Sequence, residues 1–462
     1  MFMKIRILAA ALILFPGVLM AQTKGLKLNI QDAKDYALQN NKTYQNAQDD
    51  VALAETQIKE ARSSGLPQIQ GSLEYMTYFN YEFDFPMGGG ETEPPDINYS
   101  LLDAGDFEIF KILEQFTAPS TGNTILMGDQ ASANVQVSQL IFSGQFWVGM
   151  ELAKLGAEIQ RKSLSLTALD IKQQVTNTCH LILVSEKLLD VITANEDNLM
   201  EVARHTENMY KAGLAESTDV DQIQINISQL SNSRKAMERN LELNFNMLRM
   251  LLGVDPGTPI ELTESLDTIL ARINQNEVFG SRFNLADNLN YQIMMKQGIL
   301  GEKNLSMQKW AYAPNLVGFY TYKKKLLTTA FDLSPNHAAG FTLNVPIFSS
   351  GARSAQTSRA KIELEKIKRS TELLEQQLEL QRNQLSFSLN SAYENYQTQK
   401  ESVDVARRLL ASIQNKYQQG LISSLELTQA NSNYLQAENN YLSSALELLQ
   451  SKLEMDKLCN QL

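Results

Sequence analysis

"YKAGLAESTDV", Tyr210 to Val220, and "YQQGLISSLEL", Tyr417 to Leu427, lie 207 residues apart and are built alike. Each has a tyrosine, a glycine three residues later, a leucine after the glycine, and then small polar residues leading to an acid. Glycine accepts the left-handed conformation that closes a helix, so Gly213 and Gly420 read as C-terminal stops. Hydroxyl and carboxylate side chains accept hydrogen bonds from the first free N–H groups of a helix, so a new helix is expected to start directly afterwards. Ser217 and Thr218 are the expected caps at the first site, and Ser423 to Glu426 has the pattern of a capping box at the second. Each stretch is therefore the tip of a helical hairpin. Leu214 and Leu421 place an apolar side chain on an exposed turn, which either invites a partner or tucks back onto the last helical turn.

The flanks agree with long helices. No proline lies between residues 120 and 255 or after 346, and proline inside a helix costs roughly 3 kcal/mol. Apolar positions recur at steps of three and four through Leu188, Ile192, Leu199, Val202 and Met209. They do so again through Ile223, Ile227, Leu230, Met237, Leu241, Leu248 and Leu252, the seam of a coiled coil. Helices of about 65 residues, Trp147 to Lys211 and Gly351 to Gln419, would each run about 100 Å.

The chain is a tandem duplication. "NNKTYQ" from Asn40 aligns with "DNLNYQ" from Asp287 at an offset of 247, which holds through Pro67/Pro314, Gly71/Gly318 and Tyr75/Tyr322. The second offset, 207, pairs Lys154 with Lys361 and Tyr210 with Tyr417, so the first half carries 247 − 207 = 40 extra residues between Tyr75 and Lys154. The first repeat, 22–252, is expected to hold a helix over 29–64, strands over 67–80 and 131–142, and a hairpin over 147–252. A linker region follows over 253–286. The second repeat, 287–462, is expected to hold a helix over 287–311, strands over 314–325 and 338–348, and a hairpin over 351–459. The extra loop, 79–125, is rich in Gly, Pro, Asp and aromatics, and its acids and aromatics from Tyr78 to Tyr99 read as a solvated extracellular loop, with a metal or surface partner as the alternative.

Of 462 residues, 41 are Lys or Arg and 52 Asp or Glu, a net charge of -11 without a basic run, which argues against nucleic acid. Lys4 and Arg6 precede an apolar run from Ile7 to Leu19 and a small residue at Ala21, the layout of a secretory signal peptide over 1–21. Its removal leaves 39 bases against 52 acids, or -13. Two cysteines and three histidines, with no Ser/His/Asp arrangement or phosphate loop, predict no catalytic residue, metal or cofactor. Cys179 and Cys459 fall at similar heights along antiparallel helices, which permits a bridge. Cys459 aligns with Leu252 on the apolar seam, which favours a free buried thiol.

The strands alternate. Ile69, Gly71, Leu73, Tyr75, Thr77 and Phe79 share one face, and Gln68, Gln70, Ser72, Glu74, Met76 and Tyr78 the other. This suits a membrane barrel strand or a half-buried sheet. Two halves with two strands each supply four, and closing a barrel needs about eight. The chain alone cannot close one, so an oligomer is required.

An exported chain in two halves, with strands opened by "LPQIQ" and "APNLV" and with "NVPIFSSGARSAQTSRAKIELEK" leading from strand to long helix, resembles the TolC family of outer-membrane efflux proteins. The Tyr-x-x-Gly tips fit it, with Asp219 and Glu426 each six residues after their glycines. "LNIQDAKDYALQNNK" is similar to the family's first helix, although Lys42 stands where proline is common. The resemblance implies an α+β membrane protein: a homotrimer whose twelve strands form one barrel in outer-membrane lipid and whose helical hairpins form a periplasmic α-barrel. It implies an exit duct of a tripartite efflux or type I secretion system in a Gram-negative bacterium, with a periplasmic adaptor and an inner-membrane pump as partners. By position, Gly213, Leu214, Gly420 and Leu421 would meet the adaptor. Glu426 and Gln429, with Asp219, would line the entrance, Gln429 being neutral where the family has a second carboxylate. Asp219 and Glu426 equally suit helix capping, and the two roles are compatible. A non-conducting coiled-coil scaffold is the alternative from another class.

Overall fold

The structure is a computed structural model that describes residues 25–79, 81–85, 109, 111, 123–127, 129–273, 283–327 and 334–462. The expected signal peptide lies outside them, as does most of the loop over 79–125. The elements run β1 (Leu26–Leu28), α1 (Ile30–Asn40), α2 (Lys42–Ser63), β2 (Gln68–Met76), β3 (Tyr81–Phe85), β4 (Asn123–Met127) and β5 (Gln130–Phe142). The hairpin helices α3 (Gly144–Lys211) and α4 (Ser217–Leu252) follow, then β6 (Ile260–Leu262), α5 (Leu266–Arg272) and a 3-10 turn (Leu285–Asp287). The second repeat holds α6 (Leu289–Trp310), β7 (Asn315–Leu327), β8 (His337–Asn344), α7 (Ala352–Gln418) and α8 (Ser424–Leu458). The chain divides into two compact units, one of Met1–Leu53, Glu158–Gly298 and Ile367–Leu462, the other of Ala54–Ala157 and Ile299–Lys366.

The second unit contains the sheet β2-β5-β7-β8, antiparallel throughout. Its register makes the alternation two-dimensional. One rank runs Ile69, Val137, Tyr320, Ala339, and the next Gln70, Gln136, Thr321, Ala338, so one face is apolar and aromatic and the other polar. The apolar face is uncovered: Ile69 is 72% and Leu73 81% exposed. The strand expected over 338–348 ends at Asn344. Two residues on, Pro346 has no N–H for a ladder, and a turn with positive φ at Ser350 and Gly351 leads into α7. Part of the expected loop is ordered: β3 and β4 form an antiparallel ladder, as the alternation in "YEFDF" allows.

In the first unit the seams become cores. Ile192 and Leu199 of α3 pack with Ile223, Ile227 and Leu230 of α4, with Leu188 and Val202 at the margin. Ile171, Val175, Cys179 and Ile182 pack with Leu248, Leu251 and Leu252 and with Ala33 and Ala37 of α1. Both cysteines are free: Cys179 is buried, whereas Cys459, expected to be buried, is half-buried because it caps α8 beyond the last seam residue. The segment expected to be a linker has structure of its own. β6 pairs in parallel with β1, and Leu266 and Leu270 of α5 enter the core.

The helix expected over 29–64 is broken at Asn41, whose ψ of 126° is extended. Asn41 caps α2, its Oδ1 accepting from Thr43 N at 2.8 Å, while its Nδ2 donates to the Leu251 carbonyl at 2.8 Å. Asn288, 247 residues on, repeats the latch: Oδ1 accepts from Tyr291 N at 3.2 Å, as Asn41 Oδ1 does from Tyr44 N at 3.2 Å, and Nδ2 donates to the Leu458 carbonyl at 3.2 Å. The orphan carbonyl at the end of each returning helix is thus satisfied by the cap of the helix beside it. No helix among the described residues is long and apolar enough to cross a membrane.

Candidate functional site

Both hairpin tips close in one way. Gly213 has φ 74° and Gly420 φ 70°. Gly213 N donates to the Tyr210 carbonyl at 2.9 Å and Leu214 N to Met209 at 2.8 Å. Gly420 N donates to Tyr417 at 2.9 Å and Leu421 N to Lys416 at 3.0 Å. These paired bonds are the Schellman closure, which takes up the last free carbonyls of α3 and α7. Its hydrophobic clasp is absent at both tips, because Leu214 is 73% and Leu421 67% exposed. Leu425 in the first turn of α8 is exposed as well.

The start of α4 differs from expectation, and that of α8 follows it in part. The N-cap of α4 is Glu216, one residue before the Ser217 and Thr218 expected to serve, and the Glu216 N–H donates to Asp219 Oδ2 at 3.1 Å. At the second tip Ser423 Oγ accepts from Glu426 N at 3.3 Å, the forward half of the expected box. Glu426 itself is exposed in the first turn of α8, and Gln429 in the second turn is exposed too, its Nε2 donating to Asn433 Oδ1 at 2.9 Å.

Asp219 is not an open charge. Its second oxygen, Oδ1, accepts from the Ser424 hydroxyl of the other hairpin in a short hydrogen bond. Deeper in the tip the Thr206 hydroxyl, which donates to the Val202 carbonyl at 2.8 Å, meets the Tyr417 hydroxyl at 2.6 Å. Thr206 has spent its proton on Val202, so Tyr417 is the donor. Tyr417 is buried, and that burial raises its pKa, with the Asp219 charge adding to it. Asn226 Nδ2 donates to Thr428 Oγ1 at 3.1 Å. Three polar contacts thus pin the first hairpin to the second, and Thr206, Tyr417 and Ser424 escaped the sequence reading as site residues. The available signal was Ser424, a second serine beside the one that caps. Tyr417 carried no distinguishing signal, since its repeat partner Tyr210 is exposed.

The tips display leucine and carboxylate but hold no reactive pair. No group of three His, Cys, Asp or Glu that could hold a metal occurs among the described residues. Such a surface can dock a partner and bias ions by charge.

Comparison with known proteins fits this geometry. A match to the family described as Outer membrane efflux protein spans residues 314–461. The match lies within the second repeat. Solved structures extend the likeness over the whole fold. CusC, studied for folding and transmembrane channel formation, aligns with a TM-score of 0.71 at 14% identity, over 94% of this chain and 92% of its own. The outer membrane protein VceC of Vibrio cholerae gives 0.66 at 14% identity, over 93% and 95%. The CmeC outer membrane channel of Campylobacter jejuni gives 0.68 at 14% identity, over 94% and 86%. No protein of curated function matches the sequence. This chain therefore shares the fold of CusC, VceC and CmeC over both of its repeats.

Proposed function

We propose that the chain is the outer-membrane exit duct of a tripartite efflux or type I secretion system in a Gram-negative bacterium. It conducts passively, and an inner-membrane pump supplies the energy. The observation that carries this reading is the four-stranded sheet with one apolar face and with β2 and β8 as unpaired edges among the described residues. Open backbone edges are not tolerated in lipid, and four strands are too few to close. Three copies supply twelve strands and satisfy every edge, so the working form is a homotrimer in outer-membrane lipid. The family match over residues 314–461 supports the same reading.

Gly213-Leu214 and Gly420-Leu421 are proposed to meet a periplasmic adaptor, since two exposed leucines on two like turns offer a repeated apolar contact. Glu426, exposed beside the neutral Gln429, is proposed to charge the entrance. Asp219 is assigned the pinning of the two hairpins, because both its oxygens are engaged.

Reconstitution of the detergent-solubilised chain in planar bilayers tests the proposal. Discrete single-channel conductance is expected from a trimer, whereas a non-conducting scaffold gives none. Extraction of the exported protein as a soluble monomer without detergent would end the proposal.

A further inference from the structure

The first unit contains a cavity of about 470 Å³, beside the start of α1 and remote in sequence from the tips. Its wall carries charges of both signs, and the acids are already matched. Glu264 accepts from Arg272 at 3.0 Å through one oxygen and from the Ile30 N–H at 3.2 Å through the other. Asp456 is paired with Lys452 at 2.7 Å. Lys34 is different: it is half-buried, lines the cavity, and makes no hydrogen bond or ion pair among the described residues. Burial holds its pKa below the usual lysine range, and the neighbouring Lys172 pushes it further down, against the weaker pull of Asp35 and Asp456. His180 lines the same cavity, only 6% exposed, and its Nδ1 has no partner. The rest of the wall combines the uncharged polar residues Asn29, Gln31, Thr176 and Gln461 with an aliphatic part that includes Ile269, Ile273, Leu449 and Leu453.

Buried polar groups in folded proteins are almost always satisfied, and an ammonium withdrawn from water without a counter-ion is costly. One unmatched cation calls for one negative charge. Water would hydrate Lys34 but gains nothing from the four aliphatic side chains, and a compact multivalent oxyanion has no use for them either. The volume falls in the range of small-molecule sites, roughly 300–1,000 Å³. We infer that this cavity binds a small organic monocarboxylate, its carboxylate paired with Lys34 and its apolar body laid along Ile269, Ile273, Leu449 and Leu453. The inference does not depend on conduction by the chain.

Titration calorimetry on the detergent-solubilised full chain tests it, with hexanoate as probe and hexylamine and inorganic phosphate as controls in the same micelles. Saturable hexanoate binding at one site per chain is expected, with both controls about tenfold weaker or less. Lys34→Met should weaken hexanoate binding about tenfold or more, as expected for losing a charge-assisted contact, and Lys34→Arg should retain it. Equal heats for Lys34→Met and wild type would show only partition into micelles and overturn the site. Phosphate binding as tightly as hexanoate would overturn the assignment to an organic acid. Loss of binding in Lys34→Arg together with a lowered melting temperature would count against a site as well, by making Lys34 a packing residue.

Discussion

His180 shows how far a single residue departs from its ordinary chemistry once packed. Burial drives its pKa down to about 4, against the opposing pull of Glu264 and with the help of Lys34. The folded protein therefore holds the ring neutral where the unfolded chain would protonate it. The resulting stability is complete above the unfolded pKa of about 6.5 and is lost as pH falls toward 4. Between pH 7 and 5 the loss should be about 2 kcal/mol from this group. Denaturant titration of the solubilised protein at the two pH values checks it, and His180→Gln should flatten the dependence. Tyr210 and Tyr417 make a second point at this scale. They hold equivalent positions in the two repeats, yet one is exposed and the other is buried against Thr206. Nothing in either local sequence separates them, because the difference lies in which neighbouring hairpin each faces.

At the scale of elements, the hairpins were legible because their signals are local. Glycine at the C-terminal stop, a cap within four residues, and apolar positions at steps of three and four each act within one or two helical turns. The exact cap was not legible. Glu216, Ser217 and Thr218 all can accept from a free N–H, and Glu216 serves because Asp219 closes back onto its own N–H. The break at Asn41 was missed for a related reason. The residues on both sides favour helix, and the interruption is held by a bond to Leu251, 210 residues away. The pinned tips allow a direct test. Ser424→Ala removes only the inter-hairpin bond to Asp219, and a hydrogen bond to a charged group contributes roughly 1.5–3 kcal/mol. Amide exchange at the two tips should quicken about tenfold or more in Ser424→Ala, and adding Asp219→Ala should bring less than an additive further change at the second tip. Full additivity would mean that Asp219 acts there as a cap alone.

For the whole molecule, the exposed apolar ranks of the sheet and the exposed leucines of the tips call for different partners. In the proposed function the sheet meets lipid and further copies of itself, and the tips meet another protein. Replacing Leu214 and Leu421 by Ser should leave trimers intact on native gels while cutting cross-linking of the periplasmic adaptor in membranes about tenfold. Undiminished capture would place the adaptor contact elsewhere. The duplication, the hairpins and the period-two strands follow from the sequence alone, because each depends on spacing along the chain. The pairing order β2-β5-β7-β8, the pin between Asp219 and Ser424, the latches of Asn41 and Asn288, and the unmatched Lys34 were decided only by tertiary structure. Apart from the β7-β8 hairpin, each joins residues 54 to 210 positions apart or depends on what surrounds a side chain, and a polar group's partner across such distances leaves no trace in local pattern.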